Sequence, residues 1–104
     1  MKKMRQERID EYHLLEAQLG RAYIEMSNFA KKNPTEKISI LKLQLINRIL
    51  NAIKELLKEE PSTQYLDILN EEDLPSISDT VLIMGQHISA LHQFKKKYIG
   101  IDWA

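Results

Sequence analysis

The chain has 104 residues, of which 43% are hydrophobic and 29% are charged. This balance is typical of a folded globular protein and excludes an intrinsically disordered one, and no stretch approaches the ~20 apolar residues that span a membrane. The formal net charge is zero, which argues against a dedicated nucleic-acid-binding protein, and the absence of cysteine excludes disulfides and thiolate metal sites.

The first residues argue against a secretory leader. Arg5, Glu7, Arg8 and Asp10 stand where such a leader would need its apolar region. Together with the lack of cysteine, this predicts a cytoplasmic protein. The length predicts a single helical domain over residues 1–104.

The first helix is predicted from about residue 3 to residue 32, because apolar residues recur there with heptad-like spacing. Its apolar seam consists of Tyr12, Leu15, Leu19, Ala22, Met26 and Phe29. Two lysines followed by Asn33 and Pro34 form a helix stop signal.

The second helix is predicted to begin with Thr35 as its N-cap and to end near Glu60, before Pro61. In the interval 43–58 the polar residues fall within an arc of about 120°, and the apolar residues fill about 180° on the other side. The apolar residues form two neighbouring seams, Leu45-Ile49-Ala52-Leu56 and Leu43-Ile46-Leu50-Ile53-Leu57. A surface helix needs an apolar stripe of only about 100°. The second helix must therefore contact more than one neighbour.

The remaining sequence predicts a short helix over 62–70, a loop, and a last helix that opens at Ser76 and stops at Gly100. Asp79 stands three residues after Ser76, in an arrangement like a capping box. The apolar seam of the last helix comprises Ile77, Val81, Met84, Ile88, Leu91 and Tyr98. The predicted fold is an all-α, up-and-down bundle of three long helices and one short helix.

Carboxylates provide the strongest enzymatic alternative, a small all-helical, metal-dependent nucleotide phosphohydrolase. An antiparallel hairpin of the first two helices would bring two acidic groups near each other, Glu7, Asp10 and Glu11 on one side and Glu55, Glu59 and Glu60 on the other. Helical geometry opposes the site, because Asp10 lies about 160° and Glu7 about 140° from the seam through Tyr12. We therefore assign no catalytic, cofactor or metal-binding residue.

Histidines and one lysine run are the other candidates. His87 and His92 lie about 140° apart around a helix and cannot chelate one ion, and His13 lacks the second motif of a di-iron bundle. We predict that all three histidines lie at the boundary between core and solvent. Lys95-Lys96-Lys97 supports a further alternative, weak nucleic-acid binding, but cations are also favourable at a helix C-terminus.

The leading hypothesis is a non-enzymatic regulatory or protein-interaction module that acts through an apolar face of the second helix. Its expected partner is a second copy, giving a homodimer, or another protein. The seam assigned to the interface borders the polar arc and consists of Leu43, Ile46, Leu50, Ile53 and Leu57. Under this assignment Leu50→Glu gives a folded monomer, whereas Ile49→Glu unfolds the chain. The competing interpretation makes the second helix the buried centre of a monomeric bundle.

Overall fold

The computed structural model describes residues 5–99, which form three α-helices and no strand. The helices are α1 (Gln6–Lys32), α2 (Ile40–Leu56) and α3 (Ile77–Phe94), with a short 3-10 helix (Pro61–Tyr65) between α2 and α3 and a π-helical turn (Lys95–Ile99) after α3. This architecture confirms the all-α prediction of three long helices and one short helix. Gly100, the predicted stop of the last helix, lies outside the described residues.

The α1 helix packs against both of the other α-helices, and its core-facing residues follow the predicted seam. Tyr12, Leu15, Leu19 and Met26 are buried. At the start of the helix, the Arg8 guanidinium donates a hydrogen bond to the carbonyl oxygen of Leu56 at 2.6 Å. The beginning of α1 therefore lies against the end of α2, and the two helices run antiparallel.

The α2 helix begins four residues later than predicted. Its N-cap is Ser39, whose hydroxyl accepts a hydrogen bond from the backbone N–H of Lys42 at 3.2 Å. Just before this cap, Lys37 forms an antiparallel bridge with Ser76, and the Ile38 N–H donates to the Pro75 carbonyl at 3.0 Å. The prediction of Thr35 as N-cap was wrong, because this long-range backbone pairing replaces the first helical turn.

Residues 66–70 form an extended segment that lies between α2 and α3. These two helices contact each other less than either of them contacts α1. The predicted helix over 62–70 is thus realised only in its first part, as the 3-10 helix. The Asn47 side chain donates to the carbonyl of Leu69 and accepts from its N–H, both at 2.9 Å. The Lys54 ammonium donates to the carbonyl of Leu66 at 2.9 Å. Polar side chains of α2 therefore hold this segment extended while its two leucines fill the core.

Replacing Asn47 tests this attachment. Asn47→Ala removes two hydrogen bonds and leaves partly buried backbone groups without their partner, so we expect unfolding to become easier by about 2 kcal/mol. Gln44→Ala is the control, because its amide bonds the exposed Glu71 carboxylate and its loss should cost under about 0.5 kcal/mol. Urea titration followed by circular dichroism measures both. Equal effects of the two substitutions would contradict the proposed attachment.

The seam of α2 that was assigned to the interface is the more deeply buried of the two apolar seams. All five residues assigned to the interface are at most 5% exposed within one chain: Leu43, Ile46, Leu50, Ile53 and Leu57. In the other seam Leu45 is 46% exposed, Ile49 and Ala52 are half-buried, and Leu56 is buried. The reason is that segment 66–70 attaches to the polar arc beside the first seam. The interface assignment is therefore corrected: those five residues are core residues.

Candidate protein-interaction face

A groove of about 340 Å³ runs between the C-terminal half of α1 and the N-terminal half of α2. Its lining is mainly apolar and consists of Ala22, Glu25, Met26 and Phe29 from α1 and Lys42, Leu45, Ile46 and Ile49 from α2. Met26 and Ile46 are buried and belong to the core, so they form the floor of the groove. The groove lies where these two antiparallel helices pack against each other.

An exposed apolar ridge borders the groove on the α2 side. Leu41 is 64% exposed and Leu45 is 46% exposed, and residues four apart lie on the same helical face. Ile49 continues the ridge by another turn. Within the groove, the Lys42 ammonium of α2 lies 4.6 Å from the centre of the Phe29 ring of α1, a cation–π contact. Groove and ridge together form the face that we call the α1/α2 face.

Leu82 is another strongly exposed leucine, at 69%, but it lies in a different setting. The neighbouring groove between α1 and α3, about 470 Å³, is lined by polar and small residues as well as apolar ones: Tyr23, Ser78, Val81, Leu82, Gly85, Gln86 and Ser89. Isolated exposed hydrophobic residues are normal on a protein surface, whereas a continuous apolar groove indicates a binding site. The α1/α2 face is therefore the stronger candidate.

The carboxylates considered for metal binding do not converge. No group of three or more His, Asp or Glu side chains within residues 5–99 is arranged to hold a metal ion. Glu55 pairs with Lys58 at 3.0 Å, and Glu60 accepts a hydrogen bond from the Tyr98 hydroxyl at 2.7 Å. Asp10 accepts from the Gln6 amide at 2.9 Å, and the other three carboxylates, Glu7, Glu11 and Glu59, are exposed. These contacts give the phosphohydrolase alternative no support.

His87, on α3, lies in an unusual environment for a titratable residue. It was predicted to lie at the boundary, and that was wrong: its side chain is completely buried, whereas His13 and His92 are exposed. Its Nδ1 lies 3.1 Å from the carbonyl of Ile83, so Nδ1 carries the proton, and the buried Nε2 has no hydrogen-bond partner among the described residues. Burial lowers the pKa of His87 below its ordinary value.

The lysine run lies in the π-helical turn, and part of its charge is compensated. The Lys97 ammonium forms a salt bridge with Glu60 at 3.1 Å and also lies 5.2 Å from the centre of the Tyr98 ring. Lys95 is half-buried and Lys96 is exposed. The arrangement ties the end of the described chain to the residue that precedes the 3-10 helix.

Comparison of the chain with protein-family models, with curated proteins and with solved structures finds no match. No helix formed by the described residues is both long enough and apolar enough to cross a bilayer.

Proposed function

We propose that the protein is a non-enzymatic regulatory or interaction module that binds another protein through the α1/α2 face. The observation that supports this is the continuous apolar surface made by the groove and by the ridge of Leu41 and Leu45. Large apolar side chains side by side in water are unfavourable, and covering one leucine is worth about 1.5–3 kcal/mol. A partner that covers this face therefore gains binding energy without any change in the fold.

The shape of the face favours a helical partner. A groove between two antiparallel helices accepts a third helix, whose apolar side chains at positions i, i+3, i+4 and i+7 reach the floor. Met26 and Ile46 form that floor, and Leu41, one helical turn before the lining residue Leu45, extends the contact beyond the groove. The role thus resembles the helix-in-groove mode of recognition.

The homodimer stays a prediction, now without the seam on which it was based. A two-fold interface uses the same patch on both chains, so like charges around the patch oppose each other. The charged residues on and beside the α1/α2 face are mainly positive, with Arg21, Lys32, Lys42 and Arg48 against Glu25, and we therefore favour a different protein over a second copy. Light scattering at micromolar concentration should give one chain mass of 12.2 kDa, whereas about twice that value would restore the homodimer.

Two matched substitutions test the proposed function. Leu41→Gln removes an apolar side chain from the face, and Leu82→Gln removes one of similar exposure from α3. Both proteins should keep wild-type helical circular dichroism, because neither leucine is buried. Affinity purification from the native cell should recover a stoichiometric partner with wild type and Leu82→Gln, and at least about tenfold less of it with Leu41→Gln. Equal recovery with all three proteins would place the binding surface elsewhere.

A further inference from the structure

The charges around the α1/α2 face identify the chemistry of its partner. The relevant residues are those that line the groove and those one helical turn from the lining, because residues three or four apart are neighbours on a helix. The charged residues among them are Arg21, Glu25 and Lys32 on α1 and Lys42 and Arg48 on α2. Four cations thus stand against one carboxylate, although the whole chain carries a net charge of zero.

These cations are available to a partner. Arg21, Lys32 and Arg48 are exposed and take part in neither of the two salt bridges formed within residues 5–99. The Lys42 ammonium lies over the Phe29 ring at the groove itself, where an incoming carboxylate could reach it. An apolar groove bordered by unpaired cations on both sides complements a ligand that is apolar in the middle and acidic at its edges.

We infer that the α1/α2 face binds an amphipathic α-helix of another protein whose apolar stripe is flanked by glutamate or aspartate. The inference rests on the proposed function, since it names the partner of the same face. Apolar side chains of the partner helix fill the groove above its floor of Met26 and Ile46. Its acidic residues pair with Arg21 on one side and with Arg48 on the other. Exposed pairs of this kind contribute little each but add up to a preference between otherwise identical helices.

Two designed peptides test this inference with purified protein. Each is an 18-residue helix with the same leucine stripe, flanked by glutamates in one peptide and by lysines in the other, and each carries a fluorescent label. Fluorescence anisotropy should show that the acidic peptide binds about tenfold more tightly at low salt, since several exposed ion pairs add to this amount. The ratio should shrink at high salt, because exposed charges are screened.

Reversing the charges on both sides of the groove tests whether these cations cause the preference for the acidic peptide. Arg21→Glu/Arg48→Glu should invert the preference in favour of the lysine peptide, since both substitutions change exposed side chains at the face. The control Arg5→Glu/Lys96→Glu makes the same change of net charge at exposed positions at the other end of the bundle and should leave the preference unchanged.

Each other result would overturn the inference in a distinguishable way. Equal affinity for both peptides, lost in Leu41→Gln, would leave the proposed function standing and reject the acidic partner. Binding that Leu41→Gln does not weaken would reject the proposed function as well. No binding of either peptide would reject an amphipathic helix as the partner. If the protein shows no preference between the peptides but sediments with vesicles that contain phosphatidylserine, the ligand of the face is an anionic membrane surface and not an acidic helix.

Discussion

Leu50→Glu is expected to unfold the protein, because Leu50 is completely buried in the middle of α2. A carboxylate at that position would lose its hydration, and Lys54, one helical turn further on, already donates its ammonium hydrogen to the Leu66 carbonyl. Burying the charge therefore costs several kcal/mol. Domains of this size are stable by only about 5–15 kcal/mol, so one such substitution removes much or all of the stability. Circular dichroism should show loss of the helical signal, or a urea midpoint that is greatly lowered.

Leu45→Glu is the matched control, since it makes the same chemical change on the same helix five residues earlier. Leu45 is 46% exposed, so its carboxylate can remain hydrated, and the free energy of unfolding should change by under about 1 kcal/mol. The opposite outcome, a folded Leu50→Glu and an unfolded Leu45→Glu, would contradict the burial of the Leu43–Leu57 seam and restore the interface originally assigned to it.

Acid should destabilise the protein through His87. Burial lowers the pKa of this imidazole; the Lys54 ammonium acts in the same direction, while the hydrogen bond to Ile83 and the Asp67 carboxylate oppose it. The folded-state pKa is thus depressed, so the unfolded chain takes up the proton first as pH falls below its ordinary value of about 6.5. Stability should be unaffected by His87 above that pH and should fall below it, by up to about 1.4 kcal/mol per pH unit.

Two variants separate His87 from the other titrating groups. His87→Met keeps a similar volume, removes the buried nitrogen that has no partner, and should flatten the loss of stability between pH 7 and pH 5. His92→Gln removes an exposed imidazole and should leave the wild-type pH dependence intact. Urea midpoints measured across this range decide the matter, and a His87→Met profile parallel to that of wild type would contradict the assignment.

The sequence predicted those features that depend on local periodicity. The seam of α1 was predicted correctly because its apolar residues recur with one regular helical spacing, whereas Leu14 and Ile24, which fall outside that spacing, are exposed. Ser76 was correctly identified as the cap of α3, since its hydroxyl accepts from the N–H of Asp79, three residues further along the chain, at 3.1 Å. Both features depend on residues that lie close to one another in the sequence.

Features decided by distant parts of the chain could not be predicted. The apolar arc of α2 offers two equally apolar seams, and the choice between them follows from the position of segment 66–70. Asn47 and Lys54 looked like solvent-facing residues of the polar arc, yet both bind the backbone of that segment. The α1/α2 face was missed for the same reason, although Leu41 and Leu45, four residues apart, were an available signal.

Site-specific photo-crosslinking in the native cell tests the central claim, that the α1/α2 face is the working surface, most directly. A photoreactive phenylalanine analogue is placed at Leu41 in one protein and at Leu82 in another, two positions with 64% and 69% exposure. We expect illumination to give one discrete adduct with a partner protein at position 41 and none at position 82. No adduct at position 41, or the same adduct at both positions, would contradict the claim.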